Sequence, residues 1–87
     1  MMNIYKVSQD VNNGYDTYDS MIVAAKSEEE ARMIPPSSYY LDENGEWDGK
    51  GGDFSSWCDS TDVTVLLIGR AVRGIKKGVI LASFNAG

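Results

Sequence analysis

The sequence predicts an α+β domain: a small antiparallel sheet in β-β-α-loop-β-β order, with one short helix packed on it. Three observations predict it. Apolar and polar residues alternate over 2–9 and 15–25, a capped segment stopped by proline follows, and two β-branched runs close the chain. The 87 residues suffice for one domain, 1–87.

In the first strand, over 2–9, Tyr5 and Val7 share one face and Ile4 and Lys6 the other. Asn12-Asn13-Gly14 predicts a tight hairpin turn, because Asn-Gly tolerates positive φ. In the second strand, over 15–25, Met21, Val23 and Ala25 alternate with Ser20, Ile22 and Ala24. Ser27 followed by Glu30 is a capping box, and the acids at 28–30 suit the positive end of a helix dipole. The helix is expected over 28–34, stopped by Pro35-Pro36. Two turns cannot stand alone, so Ala31 and Ile34 must lean on the sheet.

Residues 37–62 form the long irregular loop. Four glycines, seven acids and five aromatics share its 26 positions, too aromatic a mixture for plain disorder. The expectation is a loop pinned by Trp47 and Trp57, with Gly49-Lys50-Gly51-Gly52 as a mobile tip. Val63–Ile68 is the third strand, with a bulge at Gly69 that lets it run on toward Arg73. A hairpin turn over 74–78 then leads into the fourth strand, 79–84. Phe84 is expected in the core, and Asn85, with four hydrogen-bonding sites, is expected to make contacts.

Charge is uneven. Residues 1–62 hold all 13 acids against four bases, and residues 63–87 hold four bases and no acid, which gives −9 + 4 = −5. An acidic whole argues against duplex DNA as a partner. The single cysteine, Cys58, rules out an internal disulfide and fits a reducing cytoplasm. No signal core or membrane-spanning run is read in the sequence. With no histidine, Cys58 lacks the usual base for nucleophilic work and reads as a buried small apolar residue. The acids of "DENGEWDG" lack the spacing of a calcium loop, so no metal and no cofactor is expected. A domain this small has a marginal core, so self-association into a homo-oligomer is expected to supply what the core lacks.

The densest recognition chemistry is "GYDTYDS", 14–20. Tyrosine stacks and donates while aspartate accepts, so the stretch reads as a recognition strip, or else as a polar edge strand. Arg70 and Arg73 offer planar forks to phosphate or carboxylate, or else solvate a turn.

The stretches "NNGYDTYDSMIVAA", "SEEEARMI-P", "VTVLLIG-A" and "GVILASFNAG" together resemble a widespread family of short proteins encoded in bacteriophage and prophage genomes. Relatives carry His-Pro where this chain has Ile34-Pro35-Pro36, so no role of that histidine carries over. The resemblance implies an accessory phage protein that acts in the host cytoplasm and counters host defence. The expectation is a non-enzymatic sponge for a nucleotide-type immune signal. Its ligand-binding residues would be Tyr15, Asp16, Tyr18, Asp19, Trp47, Trp57, Arg70, Arg73 and Asn85. Tyr15, Tyr18 or Trp57 would stack on a base, Asp16 or Asp19 would accept from ribose or base donors, and Arg70 or Arg73 would balance phosphate. The pockets would lie between subunits. The alternative is an acidic protein–protein inhibitor of a host defence protein, with the 42–62 loop as its contact surface.

Overall fold

A computed structural model of the chain describes residues 2–51 and 56–85. Strand β1 (Asn3–Ser8), strand β2 (Thr17–Ala25), helix α1 (Glu28–Arg32), strand β3 (Thr64–Arg70) and strand β4 (Gly78–Asn85) follow in that order. The α+β class and the β-β-α-β-β order agree with the sequence. The strands form one antiparallel sheet in the order β3-β1-β2-β4.

The alternation predicted for β1 and β2 sets the two faces. Tyr5 lies opposite Val23 and Val7 opposite Met21, and all four are buried. Ala31 and Ile34, from α1 and the residues after it, close over that face together with Trp47, Trp57, Cys58 and Val63. Among the described residues, Val7, Met21, Val23 and Trp57 are the largest fully buried side chains, and burial of an aliphatic one contributes about 1.5–3 kcal/mol of transfer free energy.

Helix α1 has the predicted cap. Ser27 Oγ accepts from the Glu30 amide at 3.1 Å, and Glu30 Oε1 accepts from the Lys26 amide at 2.9 Å. The helix ends at Arg32 rather than at 34. The amides of Met33 and Ile34 reach back only three residues, to Glu30 and Ala31, which tightens the chain ahead of the prolines.

Three expectations need correction. The β1–β2 connection is no tight Asn-Gly hairpin. It is a longer loop in which Asp16 takes the positive φ, 61°. The buried Gln9 side chain organises that loop: Oε1 accepts from the amides of Val11 and Asn12, and Nε2 donates to the carbonyls of Asn12 and Tyr18.

Second, 71–77 is no hairpin. β3 and β4 occupy opposite edges, so this segment crosses the end of the sheet past β1 and β2. Three strand spacings amount to about 14 Å, well within the reach of seven residues at roughly 3.3 Å each. The Ala71 amide, bonded to the Met2 carbonyl at 2.8 Å, fastens the start of the crossing. A bulge is present one residue earlier than expected: Ile68, not Gly69, is the extra residue between the Ile4–Gly69 and Tyr5–Leu67 pairs, and β3 ends at Arg70 rather than running on toward Arg73.

Third, Gly49 and Gly51 are not a mobile tip. The Ser60 amide bonds the Gly49 carbonyl, and the Gly51 amide bonds Asp59 Oδ1 at 2.7 Å. A Cβ on Gly51 would lie 2.6 Å from the Cys58 backbone carbon, so only glycine fits there. Gly52, the last residue of the expected tip, lies outside the described residues. Turns at Ser38–Tyr40 and Ser60–Asp62 give the long loop further local structure.

Candidate functional site

The fold distributes the sequence-predicted residues over separate places. At the end of the sheet where β2 begins, Asp16 turns the chain, and its amide donates to the Asn85 carbonyl at 2.6 Å. Thr17 Oγ1 and Asn85 Nδ2 both donate to the Gly14 carbonyl. Asn85 therefore ties the loop to β4, a bracing role that its expected contact role did not include. Tyr15 is 78% exposed, and Asp16 and Asp19 are exposed beside it. Asp19 is the extra residue of a bulge, since Tyr18 pairs with Phe84 and Ser20 with Ser83. This brings Tyr18 against the core, with its ring 4.7 Å from that of Phe84. Phe84, expected in the core, is 46% exposed. Of the two tyrosines, Tyr15 alone offers an open face.

Trp57 is fully buried, and Asn12 Nδ2 donates to its carbonyl. It is a core residue and cannot stack on a ligand. Arg70 pairs with Asn3 at the opposite end of the sheet from Thr17, and Arg73 follows it in the crossing. The length of β2 separates the two ends, roughly 26 Å for eight steps. Within one subunit the arginines and the Tyr15–Asp19 strip cannot share one small ligand. Alternation along a strand places neighbours on faces, but it carries no information about which strand ends meet.

Trp47 is 8% exposed and belongs to a different place. It walls a cleft of about 580 Å³ between the end of α1 and the start of β4, a volume in the range of small-molecule sites. Met33, Ile34, Pro36, Leu41 and Val79 supply further apolar lining, and Glu30, Glu46 and Lys77 add charge. The lining is built locally. Trp47 Nε1 donates to the Lys50 carbonyl at 3.2 Å, and its ring meets Tyr40 edge-on at 6.1 Å. The Tyr40 hydroxyl shares a 2.7 Å hydrogen bond with Ser56 Oγ. Asp42 shapes the next turn: Oδ1 accepts from the amides of Asn44 and Glu46, with Gly45 at φ 74°. The Asp42 carboxylate is thus a turn cap. Glu43 and Glu46 stand exposed beside it, and Asp48, also exposed, caps the Lys50 amide.

The sequence reading named Trp47 but missed the rest of this cleft. Its walls come from 30–47 and 77–79, mostly apolar and turn residues, and the charged Glu30, Glu46 and Lys77 among them form no ligand-binding motif in the sequence. The one usable signal was Pro35-Pro36, a rigid wall directly after a helix.

Cys58 is 2% exposed, as expected of a buried apolar residue. Burial first, then the charges of Asp62 and Asp59, outweigh a backbone hydrogen bond and push its thiol up to about 11. A thiol held protonated in this way is a poor nucleophile.

Among the described residues, no helix is long and apolar enough to cross a membrane. No protein-family model, no curated protein and no solved structure matches the chain.

Proposed function

We propose that this chain is a non-enzymatic phage accessory protein that sequesters a nucleotide-type immune signal in the host cytoplasm, and that the ligand enters the Trp47 cleft. The observation that carries this reading is the make-up of that cleft. A base needs apolar walls, and Pro36, Leu41 and Trp47 line the cleft. A phosphate needs a cation, and Lys77 stands at the start of β4. Ribose hydroxyls and base amines need acceptors, and Glu46 and Glu30 are carboxylates on the same lining. Such a set can hold and discriminate. The Cys58 thiol, buried and protonated, supplies no activated nucleophile to such a set.

The test is calorimetry with cyclic dinucleotides and ADP-ribose derivatives, with the ligand recovered afterwards by chromatography. The expected result is saturable heat with one of them and intact ligand on recovery. Lys77→Glu, a change at an exposed position, should weaken binding at least about tenfold, the scale of one lost charge-assisted contact. No heat with any of these ligands from folded protein overturns the reading, and so does recovery of cleaved ligand.

A second reading has its own support. The exposed carboxylates of Glu43, Glu46 and Asp48 sit on a turn already fixed by the hydrogen bonds of Asp42. A prefolded acidic knob suits an inhibitor of a basic host defence protein, since little ordering entropy is lost on docking. That reading requires salt-sensitive capture of a host protein, lost when Glu43, Glu46 and Asp48 are neutralised together.

A further inference from the structure

We propose that Asn13 is a self-modification site, where the folded chain converts its own asparagine to aspartate and isoaspartate, while the same dipeptide at Asn44 is held intact by its turn. Asn-Gly occurs twice in the sequence, at 13–14 and at 44–45. In each, the glycine amide nitrogen lies within reach of the asparagine side chain, and glycine has no Cβ to shield it. That nitrogen gives up its proton and attacks Cγ of the asparagine. The new N–C bond closes a five-membered imide, and the side-chain nitrogen leaves as ammonia. Water then opens the ring at one carbonyl or the other. One opening gives aspartate; the other gives isoaspartate, whose main chain runs through Cβ. The two steps consume one water and need no oxidant or reductant.

The fold treats the two sites differently. The Gly45 amide donates to the Asp42 carbonyl at 3.0 Å, and Asp42 Oδ1 accepts from the amides of Asn44 and Glu46 at 2.8 and 2.9 Å. To cyclise there, Gly45 must leave its acceptor and rotate a peptide plane inside a turn pinned at three successive amides. The β1–β2 connection is a longer loop instead of a two-residue hairpin, so no strand ladder takes up the peptide group between Asn13 and Gly14. Among the described residues, neither the Asn13 carbonyl nor the Gly14 amide is hydrogen-bonded. The exposed Asn13 side chain makes one 3.4 Å contact, from Nδ2 to the Asp10 carbonyl, beyond the usual hydrogen-bond range. The product matters because the Gly14 carbonyl accepts from Thr17 Oγ1 and Asn85 Nδ2 and so ties the loop to β4. Isoaspartate lengthens the main chain just ahead of that tie, and either product adds a carboxylate to a loop that already exposes Asp10 and Asp16. The loop lies at the far end of β4 from the Trp47 cleft, and the reaction needs no ligand.

The test is timed incubation of the full chain in warm, mildly alkaline buffer, with peptide mass mapping to locate each amide that has become an acid. In folded protein Asn13 should convert at least about tenfold faster than Asn44, the scale of the turn hydrogen bonds that Gly45 alone has to break. In urea, which dissolves the turn, the two should convert within about threefold of each other. Gly14→Ala should slow Asn13 in the folded protein at least about tenfold, because a methyl group then crowds the attacking nitrogen. A Cβ on Gly14 meets nothing within 4 Å, so circular dichroism of that variant should match wild type. Asn44 converting as fast as Asn13 in the folded chain overturns the proposal. So does an Asn13 that stays intact when folded, a gap between the two sites that persists undiminished in urea, or a rate at Asn13 indifferent to Gly14→Ala.

Discussion

At the scale of single residues, Gln9 and Cys58 show how a buried polar group is made tolerable. Gln9 is 7% exposed, and both ends of its amide are used: two backbone amides are accepted and two carbonyls are bonded. Truncation would strip partners from four backbone groups at once, so Gln9→Ala should cost about 2–4 kcal/mol, measured as a lowered urea midpoint at unchanged slope. Cys58 carries the opposite lesson, since burial and the charges of Asp62 and Asp59 oppose its thiolate more than a backbone hydrogen bond favours it. The unfolded thiol titrates near 9.0 and the folded one near 11. Between those values the unfolded chain releases a proton that the fold retains. The contribution of Cys58 to stability is therefore whole below the unfolded value and is lost as pH rises through the folded one. Urea midpoints from about pH 8 to about pH 10.5 should fall more steeply for wild type than for Cys58→Ala, the difference isolating this thiol from the lysines and tyrosines.

At the scale of elements, α1 is five residues long and depends on its ends. Ser27 and Glu30 satisfy two amides between them, and three acids in the first turn favour the dipole. Ser27→Ala should destabilise the protein by about 1 kcal/mol, read as a lower melting temperature. The cost reaches the whole fold because Ala31 on this helix is fully buried against the sheet. The strands differ in a related way. β1 and β2 are paired on both sides, whereas among the described residues β3 and β4 each pair on one side only.

At the scale of the molecule, the order β3-β1-β2-β4 determines what can act together. It sends the basic crossing 71–77 to the end of the sheet away from Tyr15, Asp16 and Asp19. One subunit therefore keeps two places apart: a cleft with Trp47 and Lys77, and an exposed strip of a tyrosine and two aspartates.

The sequence by itself determined the elements and their faces. Tyr5, Val7, Met21 and Val23 were legible as core because side chains alternate with period two on any strand, whatever its neighbours. The cap at Ser27 and the stop at Pro35 were legible because they act within a few residues. Tertiary structure alone decided that β3 and β4 part to opposite edges, that Trp57 is buried and Trp47 walls a cleft, and that Asp16 rather than Asn13 or Gly14 takes the left-handed turn. The physical reason is range. Periodicity and capping are short-range effects, whereas strand order follows from which apolar faces the whole chain can cover at once, and that cost and gain are shared by residues far apart in the sequence.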